Sequence, residues 1–227
     1  MPRGRRLSHA RATHALRRIG AIGDIHAEDH TLERVLDHLS GLSLDRILAV
    51  GDIVDGPGDS ARCCRLLADA GVDAVMGNHD RWALKGQLRT LPGATATLDP
   101  AERRFLEALP ATRRYDTVAG PLLLCHGLGS DDMCRLTEDD FGYALETNDP
   151  LQELLAAQDC RFVINGHTHR RMVRHFAHLT VINAGTLFRD NDPCFAVVDL
   201  AAARVEFFDL AAGRIAPAAV HSLAGPG

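Results

Sequence analysis

Residues 161–169 read Arg-Phe-Val-Ile-Asn-Gly-His-Thr-His, and this stretch decides how the chain is interpreted. A short apolar run ends in Asn-Gly, and two histidines follow it two residues apart. Residues i and i+2 of an extended backbone point to the same face, so both imidazoles are expected to face one point at the end of a strand. A single pair of this kind also fits a solvated strand, so its meaning depends on the rest of the chain.

The chain repeats this arrangement four times upstream. Each time, an apolar run of strand length is followed by Asp, Asn or His beside a glycine. The four segments are Gly23-Asp24-Ile25-His26, Gly51-Asp52, Gly77-Asn78-His79-Asp80 and His126-Gly127. In open α/β sheets, ligands bind outside the carboxyl ends of the strands. We therefore expect the five strand ends to meet around one site.

Composition favours one substantial globular domain. The chain has 227 residues, of which 46% are hydrophobic, and this is enough for a full core. The net charge of −5 divides into +6 before Asp24, from six arginines, and −11 in the rest of the chain. An acidic body argues against strong nucleic-acid binding through phosphate contacts, and it suits a cation site.

Targeting and redox signals favour a cytoplasmic protein. No stretch approaches the roughly 20 apolar residues that span a bilayer, and no apolar segment follows the N-terminal arginines. The six cysteines have no Cys-x-x-Cys spacing, which favours reduced thiols over a disulfide framework. Residues 1–17 are predicted to be a disordered basic tail, with an over-long start or a transit peptide as alternatives, and residues 18–227 a single domain.

The first half of that domain alternates strands and helices. A helix face at residues 32–39 is followed by a strand at 47–50, a helix at 60–70 with Ser60 as N-cap, and a strand at 72–76. This β-α-β-α-β opening implies parallel strands.

The second half is richer in strands. A helix from Asp99-Pro100 to Leu109 precedes a hairpin of residues 115–118 and 122–125, and a helix at 151–157 precedes strands at 175–182, 194–200 and 204–210. The acidic segment 130–148 is predicted to be partly helical between Leu136 and Leu145, either as a lid over the site or as a solvated connection. The predicted fold is α/β (α+β), a four-layer αββα sandwich of two mixed β-sheets flanked by helices.

Taken together, the five blocks resemble the calcineurin-like metallophosphoesterase superfamily, in the family's order and over about residues 19–200. The resemblance is greatest to a small prokaryotic phosphodiesterase-like group. Gly56 and Asp80 stand where the Ser/Thr protein phosphatase branch usually has Arg and Glu, and His169 is a histidine that this branch generally lacks.

The resemblance implies a dinuclear metal site. One ion would be bound by Asp24, His26, Asp52 and His169, and the other by Asp52, Asn78, His126 and His167, with Asp52 bridging. Such mixed ligands suit Mn, Fe, Zn or Ni, and Mn is the expected metal. Two-metal hydrolytic sites hold their ions about 3.5–4 Å apart. The implied reaction is hydrolysis of a phosphodiester or phosphomonoester by a hydroxide that bridges the two ions.

His79 is the candidate acid that protonates the leaving group, because it follows Asn78 but is not assigned to a metal. Asp55 resembles the family carboxylate that orients this histidine. Asp80 is the alternative partner, although it could instead anchor the loop backbone. Asn183-Ala184-Gly185-Thr186 is expected to support the site without a catalytic role.

The expected substrate is a small phosphate ester or a nucleotide, with no membrane partner and a homo-oligomer possible. The alternatives are a Ser/Thr protein phosphatase or dinucleotide polyphosphatase, and a non-catalytic metal-binding scaffold. Degenerate scaffold relatives typically lack the histidine that corresponds to His79. Segments 81–120 and 130–148 carry no family pattern and are expected to set specificity.

Overall fold

The computed structural model describes residues 14–87, 95, 97–211 and 213–224. In chain order its elements are β1 (Arg18–Ile22), α1 (Asp29–Ser40), β2 (Arg46–Ala49), α2 (Ser60–Asp69), β3 (Asp73–Ala74), α3 (Asn78–Leu84), α4 (Pro100–Glu107), β4 (Thr112–Tyr115), β5 (Leu122–Cys125), α5 (Tyr143–Glu146), α6 (Asp149–Ala157), β6 (Phe162–Asn165), β7 (Met172–His175), β8 (Thr180–Asn183), β9 (Cys194–Asp199), β10 (Arg204–Ala211) and β11 (Arg214–Ser222).

The strands form two mixed sheets. The six-stranded sheet has the order β11-β10-β9-β1-β2-β3, and the five-stranded sheet has the order β4-β5-β6-β8-β7. Strands β1, β2 and β3 are parallel, and so are β5, β6 and β8. The parallel opening predicted from the sequence is therefore confirmed, and antiparallel strands complete both sheets.

Three apolar clusters separate four layers. Leu48 and Leu124, one from each sheet, belong to the cluster between the sheets. Leu36 of α1 and Ala49 of β2 belong to the cluster on the outer face of the first sheet. Leu151 of α6 belongs to the cluster on the outer face of the second. Because successive strand residues point to opposite faces, Leu48 and Ala49 enter different clusters. The predicted αββα sandwich is confirmed.

The acidic segment departs from its prediction. Where a helix was predicted at 136–145, the only helix that the described residues form is the short α5, Tyr143–Glu146, at the end of that range. Arg174 of β7 donates hydrogen bonds to the carbonyls of Thr137 and Asp140. These tertiary contacts use backbone acceptors that a helix would otherwise use, which explains the difference.

Other local predictions are corrected at single elements. The predicted strand at 175–182 is the hairpin of β7 and β8, closed by a hydrogen bond from the Phe176 N–H to the Leu179 carbonyl (2.8 Å). Asp59, rather than Ser60, caps α2 by accepting from the Arg62 N–H at 2.8 Å. Helix α3 and strand β11 were not predicted. By contrast, Asp99 caps α4 as predicted, with Pro100 in the first turn.

Two residues that were assigned to the predicted tail, Leu16 and Arg17, make contacts with the folded domain. Residues 1–13 lie outside the described residues. Leu16 is buried, and its main chain exchanges hydrogen bonds with Asp116 (2.9 Å) and Val118 (3.0 Å). The fold therefore includes residues 16 and 17. The sequence around them has no hydrophobic periodicity from which this could be predicted.

Two further expectations concern the whole chain. All six cysteines lie in the described part and are unpaired, as predicted. Among the described helices, none is long and apolar enough to cross a membrane.

Candidate functional site

The structure brings all nine predicted site residues together. They lie just beyond β1, β2, β5 and β6 or at the start of α3: Asp24, His26, Asp52, Asp55, Asn78, His79, His126, His167 and His169. Each makes a polar contact with at least one other member of the set. The expectation that separate strand ends converge is therefore confirmed.

Asp52 lies at the centre of the site. Its Oδ1 accepts a hydrogen bond from the His79 backbone N–H at 2.8 Å. Its Oδ2 faces the Nε2 atoms of His126 at 3.3 Å, His26 at 3.8 Å and His79 at 4.0 Å. One carboxylate oxygen is thus fixed by the backbone, and the other faces three imidazoles.

His26 and His169 form the first side of the site. Their Nε2 atoms are 3.0 Å apart. The Nδ1 of His26 donates to the Asp55 carbonyl at 2.8 Å, which leaves the Nε2 of a neutral ring free to bind a cation. Ligand atoms of His26, Asp52 and His169 lie within 4.8 Å of one another, close enough to hold one metal ion.

Asn78, His126 and His167 form the second side. The Oδ1 of Asn78 lies 2.8 Å from the Nε2 of His126 and 3.0 Å from the Nδ1 of His167. A possible metal-binding group on this side contains Asp24, Asp52 and His126. Asp52 therefore belongs to both groups, as a bridging ligand would.

Asp24 lies between the two sides. Its carboxylate accepts from the His167 backbone N–H at 3.0 Å and lies 3.4 Å from the Nδ1 of His126. That Nδ1 donates to the Val50 carbonyl at 2.9 Å, so it is not the nitrogen available to a metal. The contact with His126 thus does not assign Asp24 to the second ion, and the predicted assignment with His26 stays a prediction.

The donor set fits a cation. With Nδ1–H committed to Val50, a neutral His126 presents its Nε2 lone pair to two oxygens, Asn78 Oδ1 and Asp52 Oδ2. Such an arrangement is stable only with an extra proton or a cation beside the nitrogen. Buried acceptors that converge in this way are typical of a metal site.

The pKa values of the buried charged groups support the same conclusion. Burial, opposed by His126 and reinforced by Asp52, raises the pKa of Asp24 to about 7. Burial alone would also raise the pKa of Asp52, but His126 and the other histidines hold it well below its usual range. Burial opposes charge on His126, yet Asp52 and Asp24 raise its pKa to about 10. The two carboxylates thus require positive charge beside them.

Three further histidines, His26, His167 and His169, have pKa values shifted toward the neutral form. Burial lowers the pKa of His26 and His167. Burial, together with the charge of His26, lowers the pKa of His169 to about 4. Neutral imidazole is the form that binds divalent metals.

His79 has the partner that the resemblance implied. Its Nδ1 lies 2.9 Å from the Oδ2 of Asp55, and both side chains are largely buried. Its ring contacts His26 edge-on, with 4.8 Å between centroids. Asp55, rather than Asp80, is therefore the carboxylate that orients His79.

Asp80 anchors the loop backbone, which was the alternative role. Its Oδ1 accepts from the N–H groups of Ile53 (2.8 Å) and Val54 (3.2 Å). Its Oδ2 accepts from the Gly77 N–H at 3.0 Å. Asp80 thereby ties the loop that carries Asp52 to the start of α3.

We expect Asp80→Asn to lower the free energy of unfolding by about 1–3 kcal/mol, the cost of leaving a buried N–H unsatisfied. An amide has one acceptor oxygen and cannot serve donors on both sides. Urea unfolding gives the measurement, with Asp37→Asn on the exposed face of α1 as the control. An unchanged midpoint would show that the second carboxylate oxygen of Asp80 contributes nothing to stability.

The backbone around the site is strained. Nine described non-glycine residues have positive φ, and five of them are predicted site residues: His26, Asp52, Asp55, His167 and His169. Each such residue costs about 1–3 kcal/mol, and these conformations cluster at functional sites. At these five residues the left-handed backbone gives the side chain a direction that differs from the one at a regular strand end.

Two supporting features surround the site. The Thr186 hydroxyl donates to the Asp24 carbonyl at 2.8 Å, and the Asp24 N–H donates to Gly185 at 3.2 Å, so the predicted supporting loop is confirmed. Sequence reasoning missed Phe188, whose ring lies 5.5 Å from that of His26 and 6.4 Å from that of His169. No spacing rule connects a lone phenylalanine with histidines so distant in the chain.

The acidic segment borders the site. Asp132 binds Arg81 of α3 through two contacts of 2.5 and 3.0 Å. Glu138 and His169 line the same cavity of about 370 Å³. Asp132 and Glu138 of segment 130–148 therefore lie beside the candidate site.

Comparison with known proteins agrees with this geometry. The sequence profile of the calcineurin-like phosphoesterase superfamily domain matches residues 18–203. Among curated proteins, serine/threonine-protein phosphatase 2 of Escherichia coli (strain K12) is 37% identical over 73 residues, 32% of this chain and 34% of that protein. The match therefore spans about a third of that relative's length.

Solved structures share the fold. A metallophosphoesterase from Sphaerobacter thermophilus matches with a TM-score of 0.62 and 24% identity, covering 87% of this chain and 89% of the other. A phosphoesterase from E. coli matches with a TM-score of 0.58 and 16% identity, covering 91% and 100%.

Proposed function

The chain belongs to the calcineurin-like phosphoesterase superfamily, and on that premise we propose that it hydrolyses a phosphodiester or phosphomonoester at a site that binds two divalent metal ions. The observation that carries this proposal is the position of Asp52. Its Oδ2 faces three imidazoles, and Asp52 belongs to both possible metal groups, as a bridging carboxylate would.

Seven residues would hold the metals: Asp24, His26, Asp52, Asn78, His126, His167 and His169. Imidazole, carboxylate and amide ligands favour Mn, Fe, Zn or Ni, and we propose Mn as the working metal. When bound, such ions lower the pKa of a water and offset the negative charge of the phosphoryl group.

We propose that His79 is the proton donor for the leaving group. Its Nδ1–H is held by Asp55, so its Nε2 is directed toward the centre of the site, 4.0 Å from Asp52. A protonated His79 would give its Nε2 proton to the leaving oxygen as the P–O bond breaks. The ring would then be neutral, with its Nδ1–H still bound to Asp55.

The test is hydrolysis of bis-p-nitrophenyl phosphate and p-nitrophenyl phosphate by protein reconstituted with Mn²⁺. Turnover of either that depends on the metal is expected, and a preference for the diester would identify a phosphodiesterase. If neither is hydrolysed while metal is bound, the non-catalytic scaffold becomes the better interpretation.

A protein phosphatase is the second candidate, favoured by the 37% identity to serine/threonine-protein phosphatase 2. Three positions argue against this candidate. Gly56 and Asp80 stand where that branch usually has Arg and Glu, and His169 is a histidine that the branch generally lacks. Phosphate release from a phosphoserine peptide, measured beside the two aryl substrates, separates the candidates. A protein phosphatase would use the peptide and not the diester.

We expect Asp55→Asn to lower turnover by about 10- to 100-fold, less than loss of His79 itself, because one hydrogen bond to a charged group is lost. Asp55 accepts from the Thr95 N–H at Oδ1 and from His79 at Oδ2, and an amide can accept only one of them. Metal content should stay at the wild-type level. A loss of metal equal to the loss of activity would instead identify Asp55 as a ligand.

A further inference from the structure

Thr95 makes a reciprocal contact with Asp55 that lies outside the ligand set. The Thr95 N–H donates to Asp55 Oδ1 at 2.7 Å. In return, the Asp55 N–H donates to the Thr95 hydroxyl at 3.0 Å. Forty residues separate the two in the sequence, so the contact joins the second metal-binding block to a different segment of the chain.

The contact holds Asp55 from two directions. Asp55 has a left-handed backbone, with φ of 61°, which is costly for a residue other than glycine. A partner on its N–H and a second partner on its carboxylate restrain both the main chain and the side-chain rotation.

Asp55 also has two tasks in the site. Its Oδ2 accepts from the Nδ1 of His79 at 2.9 Å, and its carbonyl accepts from the Nδ1 of His26 at 2.8 Å. A rotation of the Asp55 side chain would therefore disturb the proton donor, whereas the contact with His26 uses the main-chain carbonyl and would remain. Because the Thr95 N–H occupies Oδ1, it leaves Oδ2 for His79.

We propose that Thr95 is a positioning residue, which sets the orientation of His79 through Asp55 without touching the substrate. This inference rests on the proposed function for its catalytic consequence. The restraint itself is a property of the chain and can be tested separately. Thr95 lies within 81–120, a segment expected to set specificity, and through Asp55 it connects that segment to proton transfer.

The test variant is Thr95→Val, which keeps the shape and the backbone N–H but removes the hydroxyl. Thr95→Ser restores the hydroxyl and should restore the wild-type behaviour. The matched control is Thr97→Val, because Thr97 is exposed and lines the same cavity of about 210 Å³ as Thr95.

The kinetic measurement compares phenyl and p-nitrophenyl esters of the class that the protein hydrolyses. Phenol is the poorer leaving group and needs the proton more, so Thr95→Val should lower kcat for the phenyl ester about tenfold and leave the p-nitrophenyl ester nearly unchanged. KM and metal content should not change. Equal losses on both esters would overturn the role in proton transfer.

The second measurement does not depend on activity. In protein loaded with diamagnetic Zn²⁺, the Nδ1–H of His79 should give a proton NMR signal that is protected from exchange with water and is absent in His79→Gln. In Thr95→Val this signal should exchange faster, and in Thr95→Ser it should not. An unchanged exchange rate would overturn the inference. If the wild-type protein shows no turnover, the proposed function is overturned. The NMR comparison would then still test whether Thr95 restrains Asp55 and His79.

Discussion

Asp52→Asn is expected to reduce bound Mn²⁺ from two ions to at most one per chain and to lower turnover by at least about 100-fold, since even residues that only support metal ligands cost 10- to 100-fold. The amide oxygen can still accept from the His79 N–H, as Oδ1 does now. The amide nitrogen would then replace the oxygen that faces His126, His26 and His79. It provides neither charge nor a lone pair to a metal.

Metal content by elemental analysis and turnover with the better aryl substrate are the measurements. Asp69→Asn, an exposed substitution at the end of α2, is the control for loss of one carboxylate. Because Asn has nearly the shape of Asp, the variant should fold, which circular dichroism can verify. A full complement of two ions in Asp52→Asn would refute the bridging assignment.

The sequence was sufficient to predict that the nine candidate residues lie together, because most of them follow strand ends. An apolar run followed by Asp, Asn or His beside glycine is a local pattern, and parallel strands bring such ends together. For that reason Asp24 and Asp52, which follow the paired parallel strands β1 and β2, could be expected to meet, and their ligand atoms lie within 4.8 Å of each other. The alternation of strands and helices predicted the layers in the same way.

What the sequence could not predict are contacts without periodicity. Thr95 contacts Asp55 from forty positions away in the sequence, and Arg174 binds the carbonyls of Thr137 and Asp140 where a helix was predicted. Both depend on the final fold, in which tertiary hydrogen bonds override local preference. The left-handed backbone of His167 could not be predicted either. Glycine is the usual sequence signal for a positive φ, and position 167 is a histidine.

His79→Ala is the substitution that isolates proton transfer from metal binding. We expect turnover to fall by about two to four powers of ten, the usual contribution of a general acid, with two ions still bound. The side chain of His79 contacts Asp55 and lies 4.0 Å from Asp52, while its backbone N–H donates to Asp52. Alanine keeps that N–H, so the bridging carboxylate should stay in place.

The dependence on the leaving group decides whether the lost group was an acid. His79→Ala should lower the rate for a phenyl ester more than for a p-nitrophenyl ester, because p-nitrophenolate leaves without help. His30→Ala, which removes a side chain that is 87% exposed, is the control. Loss of both metals in His79→Ala would mean that the residue supports binding instead. A uniform loss on both esters with metals retained would point to a role in substrate positioning, and the proton donor would have to be sought elsewhere in the site.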